Sequence, residues 1–190
     1  MVVCAVVAAV VAAVVVVGAG ALPASAHERP PRRDALVLGA DGITVECGLS
    51  VAPGAEARAL AEQVDRDRSG RLDADERAAL GRFLAARATR HARLSVDGRA
   101  LSLDDAGVAL ELPATVDAIE ARGIALTARL RAAVRLDDGP HRVVLEDRAP
   151  DARVTVAVEI RAEGVRLVEV PRAPLVFAGH PLTIATAPRR

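Results

Sequence analysis

Between Ile124 and Leu136 every second residue is aliphatic: Ile124, Leu126, Ala128, Leu130, Ala132, Val134 and Leu136. Successive side chains leave a β-strand on opposite faces, so this period of two marks a long strand, or a bent pair, buried on one side only. The same grammar recurs along much of the chain. Residues 35–38 and 43–51 flank the turn Gly39-Ala40-Asp41-Gly42, and residues 93–96 and 99–103 flank Asp97-Gly98, a dipeptide suited to a tight hairpin turn. Residues 108–112, 141–145, 154–160, 165–170, 175–178 and 182–185 are further short runs. Asp137-Asp138-Gly139-Pro140 reads as a turn, and Ala162-Glu163-Gly164 as a hairpin between its neighbours. About eight to ten strands at this spacing predict a mainly β protein, an antiparallel β-sandwich of the Ig-like kind.

One stretch breaks the pattern. After Pro53-Gly54, residues 55–64 are mostly helix formers, with Ala57, Leu60, Ala61 and Val64 on one side. A second helix is expected over 74–90, with Leu80, Phe83 and Leu84 facing one way. Gly81 lies inside it and costs ~1 kcal/mol against alanine. The helical pair falls early, at 54–90, as an insert in a single domain over 27–190.

Composition narrows the core and the partners. Hydrophobic residues make up 52% of the chain but aromatic ones only 1%, so the core is built from Val, Leu, Ile and Ala. Lysine, asparagine, tyrosine and tryptophan are absent, which reads as a bias of genome composition. The 25 basic and 25 acidic residues cancel. Without a basic excess, and with almost no rings to stack on bases, a nucleic-acid partner is excluded.

Between the two helices lies Asp65-Arg66-Asp67-Arg68-Ser69-Gly70-Arg71-Leu72-Asp73-Ala74-Asp75-Glu76. Oxygen-bearing side chains at alternate positions, a glycine at the sharp point of the bend and a closing glutamate suit a hard divalent cation, which needs six to eight oxygens at about 2.3–2.6 Å. The segment resembles the EF-hand calcium loop, and that resemblance implies the ligand roles: Asp65, Asp67 and Ser69 would offer side-chain oxygens, Arg71 its backbone carbonyl, Asp73 an oxygen often through water, and Glu76 both carboxylate oxygens. Asp73 and Glu76 also stand where an N-cap and its third-residue partner would start the exiting helix.

The resemblance covers the loop and its flanking helices. It implies a bound calcium ion, with Leu72 directed into the core. The chain departs from the family pattern in three ways. No second loop is present to pair across the Leu72 position, so this one must lean on the β domain or on another copy of itself. Arg77 stands where an apolar residue is common. Arg66, Arg68 and Arg71 offset part of the loop's negative charge. All three point to modest affinity, in the extracellular regime of about 10⁻⁴–10⁻³ M or slightly tighter.

A weaker resemblance rests on the order of a leader ending in Ala26-His27, a hairpin, the acidic helix–loop–helix and residues 94–103, Leu-Ser-Val-Asp-Gly-Arg-Ala-Leu-Ser-Leu. It is similar to extracytoplasmic domains that precede bacterial nickel/cobalt-type transporters. An accessory role in transition-metal uptake beside a membrane or cell-envelope protein is what that similarity implies.

The first 26 residues carry no charged side chain, and Pro23-Ala24-Ser25-Ala26 ends them with an A-x-A site. Residues 1–26 therefore read as a secretory signal peptide, with an uncleaved anchor as the rival. Both place the folded part outside the cytoplasm, secreted or periplasmic. Cleavage leaves Cys47 as the one cysteine, read as a small buried side chain. His27, His91, His141 and His180 show no metal-ligand spacing, and no nucleophile–base grouping or phosphate loop is present, so the chain reads as a non-enzyme.

Overall fold

In the computed structural model, residues 32–136, 139–148, 155–172, 174–177 and 180–188 are described. The leader, His27 and the Asp137-Asp138 turn lie outside them. The elements run β1 (Arg32–Gly39), β2 (Gly42–Val51), α1 (Ala55–Val64), α2 (Ala74–Thr89), β3 (Ala92–Val96), β4 (Arg99–Leu101), β5 (Asp104–Glu111), α3 (Val116–Arg122), β6 (Ile124–Ala133), β7 (His141–Asp147), β8 (Thr155–Glu163), β9 (Val165–Glu169), β10 (Leu175–Phe177) and β11 (Leu182–Pro188). The protein is mainly β, as the period of two requires.

Six strands form one sheet in the order β10-β8-β1-β2-β6-β5, and five form another in the order β4-β3-β7-β11-β9. Pairings are antiparallel except for β1 with β8, which run parallel. Buried side chains from both sheets, from α1 and α2, and from Val116 and Ile119 of α3 join in one apolar cluster. Its largest fully buried members are aliphatic, among them Leu36, Leu38, Ile43, Leu80 and Leu84. Each such side chain contributes roughly 1.5–3 kcal/mol by leaving water.

Alternation assigns the faces. On β2, Ile43, Val45 and Cys47 are buried while Thr44 and Glu46 between them are half-exposed. Glu46 sits opposite Arg129 of β6 and accepts from its Nε at 2.9 Å, and Arg161 of β8 reaches its other oxygen at 3.4 Å. These are surface pairs of small individual worth.

Several expectations are corrected. Residues 162–164 do not make a hairpin: β8 already pairs with β1 on one edge and β10 on the other, so both its edges are filled. The chain turns at Gly164, where φ is 85°, and β9 joins the other sheet beside β11. Phe83 does not share a face with Leu80 and Leu84. It is 49% exposed, and Gly81 takes the inward position instead, against the Leu110 side chain. Strand β1 begins at Arg32, ahead of the apolar run 35–38. Helix α3 was not anticipated, although Thr115 as N-cap and Gly123 just past its end are readable stop and start signals.

One polar group crosses between the sheets. Arg32 grips Asp34 with a two-pronged contact, Nε to Oδ1 at 2.9 Å and Nη2 to Oδ2 at 2.7 Å, and reaches Asp147 of β7 at 3.2 Å. Asp34 also accepts from the Gly48 N–H at 3.0 Å. Burial outweighs these partners and pushes the Asp34 carboxyl above its usual range. Cys47 lies among the same residues, and burial pushes its thiol up to about 12. The expected small buried cysteine is found, and the group reads as a cross-sheet tie.

Candidate metal centre

The loop is set by the two helices that it joins. Helix α1 buries Ala57 and Ala61, whose small side chains allow close approach of its neighbours, with Leu60 and Val64 packed at the margin. It ends at Asp65, whose N–H still bonds the Ala61 carbonyl at 3.1 Å. Helix α2 begins with a reciprocal cap: Asp73 accepts from the Glu76 N–H at 2.8 Å, and Glu76 Oε2 accepts from the Asp73 N–H at 3.0 Å. Such a box satisfies two of the four orphan donors at a helix start. From there α2 lies against β2, β5 and β6 of the six-stranded sheet.

Between the helices the chain folds around its own acidic side chains. Asp65 Oδ1 accepts from the Ser69 N–H at 3.1 Å and Oδ2 from the Gly70 N–H at 2.9 Å. Asp67 Oδ1 shares the Ser69 N–H at 3.0 Å. Gly70 turns the backbone at φ 73°, where a side chain would be strained. Glu76 Oε1 reaches back to the Arg66 N–H at 2.8 Å. The Ser69 N–H, then its hydroxyl, hold the Asp67 carboxyl below the usual carboxylate range.

Asp65, Asp67 and Glu76 bring one carboxylate oxygen each to within 4.8 Å of one another. Among the described residues this is the one group of three or more acids, histidines or cysteines that gathers in this way. Asp65 and Glu76 are buried at 8% and 6% exposure. Unlike Asp34 and Asp147, neither has an ion pair with a cationic side chain among the described residues. Buried charge is ordinarily paired or bound to a metal, so an unpaired cluster of this kind is chemically suited to a cation.

Of the other expected ligands, Ser69, Arg71 and Asp73 are exposed. Ser69 Oγ donates to the Arg71 carbonyl at 3.0 Å and accepts from the Arg71 N–H at 3.2 Å. Asp73 is outside the group of three, with one oxygen held by its capping bond. Leu72 is buried, at 5% exposure, as expected of its position. The partner of the loop is a segment of this chain that sequence reasoning missed. Arg71 lies opposite Thr115 in an antiparallel bridge, with Leu72 N–H to Ala114 O and Val116 N–H to Gly70 O both at 3.0 Å. Arg77 turns its guanidinium to the Leu112 carbonyl at 3.3 Å.

No histidine among the described residues joins this group. His141 Nδ1 lies 2.8 Å from Asp97 Oδ2, and His91 Nε2 accepts from Arg90 Nε at 2.8 Å. No helix among the described residues is long and apolar enough to cross a membrane. No family model, no curated protein and no solved structure matches the chain.

Proposed function

We propose that this chain is an exported calcium-binding protein with a single EF-hand site, carried as a helix–loop–helix insert on an Ig-like β-sandwich. The ion has a structural role, tying the end of α1 to the start of α2 and fixing how the pair sits on the domain. The chain is a binding protein and not an enzyme, and its partner beyond the ion is a membrane or cell-envelope protein.

One observation carries the calcium reading. Asp65, Asp67 and Glu76 converge from the two ends of one loop, and the two buried ones have no cationic side-chain partner among the described residues. The donors available are all oxygens: those three carboxylates, the Ser69 hydroxyl, the Arg71 carbonyl and Asp73 through water. That set suits a hard cation, whereas nickel or cobalt would favour imidazole nitrogen. Glu76 keeps lone pairs free beside its two backbone bonds, since a carboxylate offers about four acceptor sites. The two sheets with one shared core, and helices between β2 and β3, support the finer fold reading.

The test is a melting curve followed by circular dichroism or calorimetry, because the chain has no tryptophan or tyrosine to report by fluorescence. Calcium chloride at millimolar concentration is expected to raise the midpoint, and a chelator to reverse the rise. A free calcium level of 100 times Kd would stabilise by about 2.7 kcal/mol. No shift at any calcium concentration would refute the assignment. A shift given by nickel and not by calcium would point instead to transition-metal uptake.

A further inference from the structure

We infer that residues 114–116 are a positioning element for the cation site, aiming the one backbone carbonyl that the loop offers, and that cation binding is thereby coupled to α3. The inference rests on the calcium reading above and adds to it where the site's geometry comes from. Along an extended segment, backbone groups alternate in direction just as side chains do. The Gly70 carbonyl and the Leu72 N–H both face the 114–116 segment, each in a 3.0 Å hydrogen bond. The N–H and carbonyl of Arg71 between them must then face the opposite way, into the loop. Both do so, meeting Ser69 Oγ at 3.2 and 3.0 Å. Without the bridge, the two peptides flanking Arg71, each held by one of these bonds, would be free to rotate, and a cation would have to order them.

The bridging residues have a second duty. Thr115 is the N-cap of α3, its hydroxyl accepting from the Ala118 N–H at 3.2 Å, and Val116 is the first helical residue, buried at 4% exposure. Helix α3 in turn binds the start of α1, where the Gly54 N–H donates to the Glu120 carbonyl at 2.8 Å. Loop, α1 and α3 thus close a ring of contacts within one chain. Coupling of this kind is reciprocal: a bridge that tightens calcium binding is tightened by calcium to the same degree. The bridge is made within the chain and needs no second copy, so one ion per chain is expected.

Two substitutions at one position separate the backbone bond from the side chain. Val116→Pro deletes the N–H that bonds Gly70, at a first helical position where proline is well tolerated. Thr115 before it already has φ −124° and ψ 150°, as a residue before proline requires. Val116→Ala keeps the N–H and loses buried methyl groups. In titration calorimetry of the full-length chain with calcium chloride, Val116→Ala is expected to melt lower yet bind within about twofold of wild type. Val116→Pro is expected to bind about three- to tenfold more weakly, the range that one hydrogen bond supplies. Amide exchange at Leu72 and Val116 of the wild type should slow on adding calcium, and in Glu76→Gln should not respond. This arm stands even if the proline variant does not fold. Equal affinities for the proline variant and wild type would overturn the inference, as would exchange at those amides indifferent to calcium in a chain that binds it. Binding that appears only in a dimer would overturn it too. A wild type that gives no heat with calcium is a separate result, and removes the calcium reading itself.

Discussion

Glu76 holds both ends of the loop with one side chain: Oε1 accepts the Arg66 N–H at 2.8 Å and Oε2 the Asp73 N–H at 3.0 Å. The carboxylate is buried, and it bonds back to Asp73, the N-cap of its own helix. The loop is therefore shaped by its own backbone amides, which lowers the ordering that a ligand must impose.

Glu76→Gln separates that shaping from the charge. The amide keeps an acceptor oxygen but turns its NH₂ towards a backbone donor, so one of the two bonds is lost. The cost without metal is expected to be about 1–3 kcal/mol, with the fold retained, while the calcium-dependent rise in melting midpoint disappears. Asp73→Ala should cost about 1 kcal/mol through the lost cap and weaken the calcium shift only in part. Melting both variants with and without calcium checks the pair. An undiminished shift in Glu76→Gln would sink the site assignment.

Gly81 is a helix-interior glycine whose backbone does not require it. A Cβ there would sit 3.4 Å from the Leu110 Cδ2, the end of a flexible side chain on the edge strand β5. Gly81→Ala is expected to stabilise by about 0.5–1 kcal/mol through helix propensity. Denaturant titration measures it, and a loss of stability instead would show that α2 has no room to give over Leu110.

Cys47 should resist labelling. With the thiol pushed from 9.0 to about 12 by burial, its thiolate fraction at pH 8 is about a thousandfold below that of the unfolded chain. Iodoacetamide labelling mapped to the Cys47 peptide is expected to be slow until denaturant is added. The sign for stability follows from the raised value. The thiol's contribution is whole below about 9 and is lost as pH climbs towards about 12. Fast native labelling would show that the Arg32–Asp34 end of the core opens.

Asp97 carries the opposite sign. The Arg142 N–H at 2.8 Å, then His141, hold its carboxyl below the usual range. Its contribution is present above the unfolded value of 3.8 and is lost as pH falls through the lower folded value. Asp97 has φ 51°, a region that asparagine also tolerates. Asp97→Asn should therefore melt slightly below wild type at pH 6, with the two curves converging as pH falls below about 4. The side chain is half exposed, so the difference is small. Parallel curves across that range would remove the assigned charge effect.

Spacing along the chain determined what depends on near neighbours. The bounds of α1, the capping box of Asp73 and Glu76, the Asp97-Gly98 hairpin and the inward set on β6 were all legible, because each is written within a few residues of itself. The tertiary structure decided what depends on distant partners. It assigned β8 and β9 to different sheets, set β1 parallel to β8, turned Phe83 outward in favour of Gly81, and laid Thr115 against Arg71. A strand's own residues say which face is apolar but not whose free edge it will meet. That choice is made by competition for unpaired backbone donors and acceptors across the whole chain, and no local pattern records it.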